Sequence, residues 1–395
     1  MKVYMDNAAT TAPCRAALEA YSDTAVRYFG NPSSLYMEGQ LAKEKLEEAR
    51  EYLAQVINAR PQEIFFTSGG SESDNMALIS AADRGGRIGK KHIISTAFEH
   101  HAILHTLDTL RRKGYEITLL PVYENGIVHP EDVRAAIRED TCLVSVMYAN
   151  NEIGTIQPIA EIGKICREKG VTFHTDAVQA IGHLRIDVQK ENIDMLSLSA
   201  HKFHGVRGVG AIYIRRGVSI SPLIHGGAQE RGKRAGTENL PGIVAMTAAL
   251  KDALEGLEEK QAHMTAMRER LIDGLYTVPH SILNGDREHR LPGNVNFCFE
   301  GIEGEGLLLF LDDMGISASS GSACTSGSLD PSHVLLAIGR PHEIAHGSLR
   351  LTLGEDATEE QIDYTVRCVA EIIERLRSFS PVWKDLLEGK RQHVI

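Results

Sequence analysis

Through its first 250 residues the chain alternates short apolar runs with stretches of helical periodicity, and that alternation constrains the fold more than any other feature. Leu46, Ala49, Leu53 and Val56 recur three and four residues apart, which places them on one face of a helix. The short runs Ile64–Thr67, His92–Thr96, Ile117–Pro121, Leu143–Met147, Val171–His174, Met195–Ser199 and Gly210–Ile214 read as strands. Helical stretches lie between several of them, such as Ile159–Lys169, closed by Gly170 as a C-cap. Strands alternating with helices imply a mostly parallel sheet covered on both faces. The expected fold class is α/β.

Beyond residue 250 the pattern changes. Ala248–Leu275 predicts one long charged helix that tethers a second domain, followed by a strand at Asn294–Phe299 and a helix at Glu305–Met314. Thr358-x-x-Gln361 resembles a capping box ahead of Ile362, Val366, Val369, Ile373 and Leu376, again one helical face. A smaller α+β domain is expected here. At 395 residues the chain can hold two or three domains and bury a large core without disulfides. Its 53 acidic against 42 basic residues, a net charge of −11, argue against a nucleic-acid binder. There is no run of about 18 apolar residues and no apolar signal segment after Lys2, so a soluble, cytoplasmic protein is expected.

Six cysteines occur, none in a CxxC pair, so a zinc ribbon or thioredoxin-like motif is excluded. Cys142, Cys166, Cys298 and Cys368 fall in or beside apolar segments and read as small buried hydrophobes. Cys14 is uninformative. Cys324 stands apart, inside a Ser-, Gly- and Ala-rich run from Ser317 to Ser328.

The densest polar signals sit at strand ends, where open parallel sheets bind ligands. Ser68-Gly69-Gly70-Ser71 joins a strand to a helix, where small residues and free N–H groups suit an anion, although such turns are often only turns. Asp176 follows the strand ending at His174; it could hold a proton on a heteroaromatic nitrogen, or equally act as an N-cap. Lys202 follows the strand ending at Ser199 and precedes Gly205, a suitable place for a Schiff-base amine, although most lysines are simply solvated. Together an anion turn, a strand-end carboxylate and a strand-end lysine are the parts that a pyridoxal 5′-phosphate site needs.

These residues carry a resemblance. The sequence resembles the cysteine desulfurases of the NifS/IscS-like group, within the class V, fold-type I pyridoxal-phosphate enzymes. The similarity runs through Asp6–Thr11, Gly30–Ser34, Thr67–Asn75, Glu99-His100, Ala149–Glu152, His174–Gln179, Ser199–Lys202, Gln229–Gly232, Gly236–Asn239 and Ser319–Ser328. It implies a large cofactor-binding domain at 15–255, and a small domain from 1–14 and 256–395 that carries a catalytic cysteine segment at about 317–330. It implies that Lys202 bonds the cofactor covalently, that Asp176 pairs with the pyridine nitrogen, and that Gln179 bonds the ring's phenolic oxygen. Asn150 is expected beside the ring and near the substrate. His100 is expected to stack on the ring and move protons. Gly70, Ser71, Ser199 and His201 are expected to hold the phosphate, with Thr237 reaching in from a second subunit of a homodimer. Arg350 is expected to grip the substrate carboxylate.

Cys324 discriminates between reactions. Lys202 and Asp176 would serve an aminotransferase equally well, whereas an exposed free thiol is an oxidation liability unless it has a use. The implied reaction removes sulfur from L-cysteine, leaving alanine and a persulfide on Cys324 that passes to a sulfur-acceptor protein such as an iron–sulfur scaffold. No resident metal is expected, although the Cys324 thiol could transiently ligate an iron–sulfur cluster. The rival readings are a selenocysteine lyase, a class V aminotransferase, or a catalytically silent sulfur-assembly scaffold that would have no need of Lys202. Some positions depart from the family pattern: Ser71 stands where Thr is more usual, Val206-Arg207 where Pro-Lys is, and Leu336 where Arg often is.

Overall fold

A computed structural model describes residues 1–321 and 330–395. Among them run twelve strands: β1 (Val3–Tyr4), β2 (Ile64–Thr67), β3 (His92–Thr96), β4 (Glu116–Leu120), β5 (Thr141–Ser145), β6 (Thr172–Asp176), β7 (Met195–Ser199), β8 (Gly210–Ile214), β9 (Ser281–Leu283), β10 (Asn294–Phe299), β11 (Ile316–Ser317) and β12 (Ser348–Thr352). Seven of them form one sheet in the order β2-β8-β7-β6-β5-β3-β4. Within it β8 runs antiparallel to both neighbours and the other pairings are parallel. The carboxyl ends of β2, β3, β5, β6 and β7 therefore open on one edge. Strands β3 and β5–β8 are buried along their whole length, as expected for a sheet covered on both faces, while the edge strand β4 is half exposed.

The helix expected at Ile159–Lys169 forms, and Gly170 closes it in the left-handed region at φ 66°. The helix Gly70–Arg87 follows β2 directly. A side chain at Gly210, where β8 begins, would put its Cβ 2.4 Å from the Leu198 oxygen and 2.7 Å from the Gly69 Cα. Only glycine lets β8 and the β2 turn approach that closely.

The single long helix expected over Ala248–Leu275 does not form. One helix ends at Leu254 and another begins at Leu257, separated by Gly256 at φ 63°. The apolar spacing continues across the joint, but a left-handed glycine ends one helix and starts the next in a new direction. The capping box at Thr358 and Gln361 forms, and Ile362, Val369 and Ile373 are buried along the helix it starts.

That helix and Leu257–Leu275 pack on the three-stranded sheet β12-β10-β9. Val3 and Met5 join the same apolar cluster as Leu271, Phe297, Ile316 and Leu349, so the N-terminal residues pack with the C-terminal ones. This brings Asp6–Thr11 to the carboxyl edge of the large sheet, where Thr11 Oγ1 donates to the His201 oxygen at 3.0 Å and accepts from the His204 N–H at 2.7 Å. Cys142, Cys166, Cys298 and Cys368 are buried, and Cys14 accepts the Ala17 N–H at the start of helix Arg15–Arg27. No helix among the described residues is long and apolar enough to cross a membrane.

Candidate active site

A cavity of about 240 Å³ opens at the carboxyl ends of the large sheet, and most of the expected site residues line it. Gly70, Ser71, His100, Asp176, Gln179, Ser199, His201, Lys202 and Arg350 all contribute to its walls. These residues are far apart in sequence; they meet because parallel strands deliver their ends to one edge.

Each is held by its surroundings. Gly70 and Ser71 begin an 18-residue helix whose first N–H groups have no carbonyl partner within the helix, which makes an anion-binding end. A Cβ at Gly70 would lie 2.6 Å from Val178 Cγ2, so the turn tolerates no side chain there. Lys202, in the short turn after β7, donates through Nζ to the main-chain oxygens of Ala8 at 2.6 Å and Ala9 at 3.0 Å. Gln179 Nε2 donates to the same Ala8 oxygen at 3.0 Å. The motif Asp6–Thr11 thus forms one wall of the cavity and aims the lysine.

Asp176 ends β6, and the Val178 N–H fixes its Oδ1 at 2.9 Å. Burial pushes its carboxyl up to about 6, against the lowering effects of the Val178 N–H and the Lys202 charge. Beside it Asp74 is raised well above the ordinary range, by burial and then by the Asp176 charge, and its Oδ1 lacks a hydrogen-bond partner among the described residues. Burial, followed by the Lys202 charge, lowers His100 to about 4, so the ring is neutral near pH 7. Its Nδ1 accepts the Ala102 N–H at 3.1 Å, which leaves the ring proton on Nε2. His201, likewise lowered to about 4 by burial and then by Lys202, is paired through Nδ1 with Thr10 Oγ1 at 3.1 Å.

Arg350 comes from β12 and is 1% exposed. It donates through Nη2 to Asp6 Oδ1 at 2.7 Å and through Nη1 to the Asn151 oxygen at 3.1 Å. Its Nε has no partner among the described residues. A buried guanidinium anchored at one end, with donors to spare in a cavity, is suited to a carboxylate.

Two expectations need correction or placement. Asn150 does not reach the cavity. It is fully buried, donates to the Phe98 oxygen at 2.9 Å and accepts the Glu152 and Ile153 N–H groups at 2.8 and 3.0 Å, so its side chain is consumed in shaping the turn. Its neighbour Asn151 lines the cavity instead. Thr237 is exposed and lies outside the cavity walls of its own chain. Cys324 lies outside the described residues. Sequence reasoning missed Asp6 as the partner of Arg350, and Asp74 and Asn151 as cavity residues. All three lie in stretches noted for other members, but nothing in the spacing says which side chain turns inward.

A network behind the site positions the segment that carries Thr237. Arg50 and Glu230, 3% and 2% exposed in their side chains, form a two-point ion pair, with Glu230 also accepting the Phe66 N–H at 2.9 Å. Glu230 and Arg231 adopt positive φ of 46° and 56° under this constraint.

The aminotransferase class-V family profile matches residues 3–365. A protein of Clostridium botulinum (strain Hall) named cysteine desulfurase IscS is 54% identical over 394 residues, covering 99% of both chains. A solved structure titled NifS-like protein superposes with a TM-score of 0.89 at 40% identity, covering 95% of this chain and 100% of that one. Another, titled SspA in complex with cysteine, superposes with a TM-score of 0.78 at 35% identity, covering 89% of this chain and 99% of that one.

Proposed function

This chain belongs to the aminotransferase class-V family and is a cysteine desulfurase, and from that premise we propose how its own residues carry the reaction. The observation that carries the reading is the shared cavity: a lysine amine, a buried carboxylate, a helix N-terminus and a buried arginine converge within about 240 Å³. Pyridoxal 5′-phosphate presents an aldehyde, a basic ring nitrogen, a phenolic oxygen and a phosphate, and the cavity offers a matching group for each. Lys202 would hold the aldehyde carbon, Asp176 the ring nitrogen and Gln179 the phenolic oxygen. Gly70, Ser71, Ser199 and His201 would hold the phosphate. The cradle at Gly70, which a Cβ would fill, supports the fit. When bound, the cofactor supplies a conjugated ring that draws electrons from the substrate Cα and Cβ.

The chain's own steps follow from the geometry. Arg350 takes the carboxylate of L-cysteine on the donors left over from Asp6 and Asn151, which orients the substrate in the cavity that Lys202 also lines. Lys202, held by two main-chain oxygens, removes the Cα proton. Asp176 keeps the ring nitrogen protonated by charge, at the cost of its own burial. His100, neutral with its proton on Nε2, returns and accepts protons near the sulfur. The Cys324 thiolate would form an S–S bond to the substrate sulfur while the substrate C–S bond breaks, its electron pair staying on Cβ, which takes up a proton to become the methyl group of alanine; Cys324 keeps the sulfur as a persulfide. A thiol-bearing acceptor, such as an iron–sulfur scaffold in the cytoplasm, then takes the outer sulfur.

A homodimer fits the same reading. Val26, Phe29, Leu35 and Met37, close together in sequence, are 75%, 75%, 95% and 70% exposed, apolar surface that a second copy would cover, and the exposed Thr237 would complete the partner's phosphate site. The test of function is to supply the cofactor and L-cysteine with a thiol reductant and to measure alanine and sulfide together. Equal amounts of both are expected. Amino-group transfer to a 2-oxoacid without sulfide would overturn the reading.

A further inference from the structure

Far from the reaction cavity, β10 ends beside the residues that lead into β9, and three chemically matched side chains meet there. Glu300 is 3% exposed. Its Oε2 accepts from His393 Nδ1 at 2.7 Å and lies 3.4 Å from His280 Nδ1, while its Oε1 accepts the Val394 N–H at 2.7 Å. His280 Nδ1 is also 2.7 Å from the main-chain oxygen of Ile395. Trp383 stands edge-on to both imidazoles, at 5.2 Å from His280 and 5.6 Å from His393. Arg377 lies 4.1 Å over the Trp383 ring and donates to the main-chain oxygens of Glu300 and His280 at 3.0 and 3.1 Å. The desulfurase reaction uses none of these residues.

We propose that His280, Glu300 and His393, with the Ile395 main-chain oxygen, form a binding site for a divalent transition cation of the zinc class. The three side-chain donors all lie within 4.8 Å of one another. Successive separations around the cluster are 2.7, 3.4 and 2.7 Å; the two hydrogen-bonded separations would open by about 0.6 Å to reach the roughly 3.3 Å edge of a tetrahedron with bonds of about 2.0–2.1 Å, and the remaining one already matches it. Two imidazoles with a carboxylate select zinc and its borderline neighbours over magnesium or calcium, which prefer all-oxygen shells. The outer contacts are in place as well: Arg377 fixes the backbone under both His280 and Glu300, and the Val394 N–H holds the second carboxylate oxygen.

Without an ion, each Nδ1 carries a proton in order to face an oxygen. Binding moves that proton to Nε2, a change of tautomer without a change of charge, and frees both Nδ1 lone pairs for the metal. The two rings stack at 4.0 Å with 23° between their planes, so they must splay to aim at one ion. His393 is exposed at its edge and has room to turn. The consequence is local. Glu300, Arg391 and Gln392 border a groove of about 830 Å³, and a bound ion would pin residues 391–395 to β10 and fix that wall.

Trp383 is the chain's single tryptophan, so its emission reports this site alone. The cofactor-loaded protein is titrated with Zn²⁺ by calorimetry, and with Co²⁺ while tryptophan emission is followed. One equivalent of Zn²⁺ bound at micromolar or tighter Kd is expected, with Co²⁺ quenching the emission. Glu300→Gln and His393→Gln should each weaken binding by at least about tenfold, whereas Cys324→Ser should leave it unchanged. His393 is exposed, so its variant keeps the test valid even where Glu300→Gln disturbs folding. Unchanged tryptophan emission, or equal affinity in the wild type and His393→Gln, would overturn the site; zinc held by Cys324 alone gives that result.

Discussion

Replacing Arg350 with lysine tests whether the buried guanidinium recognises the substrate. In the structure two of its nitrogens are spent on Asp6 and Asn151, and Nε is left without a partner among the described residues. A lysine retains a positive charge beside the partly buried Asp6, so that carboxylate is not left unpaired and the fold should hold. It has a single nitrogen, however, which Asp6 would occupy, and it loses the fork that addresses a second carboxylate. Losing one charge-assisted hydrogen bond costs about 1.5–3 kcal/mol, which at about 1.4 kcal/mol per tenfold is roughly a 10- to 100-fold rise in KM for L-cysteine. The value of kcat should change far less, because the lysine, the ring partner and the thiol are untouched. Alanine release measured over a range of L-cysteine concentrations gives both constants, and the melting temperature and visible absorbance show that the variant folds and keeps its cofactor. A KM within twofold of wild type would mean that another group binds the carboxylate.

Lys202→Ala should keep its fold and lose turnover, because the amine that removes the Cα proton is gone; normal alanine release by that variant would exclude it. Cys324→Ala should still take up cofactor and L-cysteine, with alanine production falling by orders of magnitude, and mass spectrometry of the wild type after brief exposure to cysteine should find one added sulfur on the peptide containing Cys324. Asn150→Ala should lower the melting temperature, since three hydrogen bonds of about 1 kcal/mol each depend on its side chain, whereas Asn151→Ala should lower activity and leave stability near wild type; the opposite pattern would restore Asn150 to the cavity. Glu99 is fully buried, and burial raises its carboxyl from 4.5 to about 8, so the folded chain holds this proton to higher pH than the unfolded one. Its contribution is therefore full below about pH 4.5 and lost as the pH rises through about 8. Melting curves of cofactor-depleted protein should fall less between about pH 5 and about pH 9 for Glu99→Gln than for wild type, and parallel declines would show that Glu99 is already ionised.

The strands were legible from sequence because a sheet covered on both faces demands continuous apolar runs: β2, β3, β7 and β8 of the large sheet occupy the expected residues without a shift, and so does the fully buried β10 of the antiparallel sheet. The strand-end positions of Asp176 and Lys202 were legible for the same reason: polar residues within three positions of the end of such a run lie at the sheet's edge, Asp176 as the last residue of β6 and Lys202 in the turn after β7. Local sequence also fixed the left-handed stop at Gly170 and the capping box at Thr358, both set by neighbours within four residues. The break at Gly256 was not legible, since a glycine inside a helical pattern is as compatible with continuation as with a turn. Nor could spacing choose between Asn150 and Asn151. Adjacent residues in a turn point in different directions, and the choice depends on the Phe98 oxygen and the Glu152 and Ile153 N–H groups, which claim Asn150. The pairings of Arg350 with Asp6, 344 residues apart, and of Arg50 with Glu230, 180 apart, exist only once the N-terminal segment and the distant loops have packed against the sheet. Sequence settles what depends on the periodicity of one segment; tertiary structure decides which side chain enters the cavity, because that depends on hydrogen-bond partners that other segments supply.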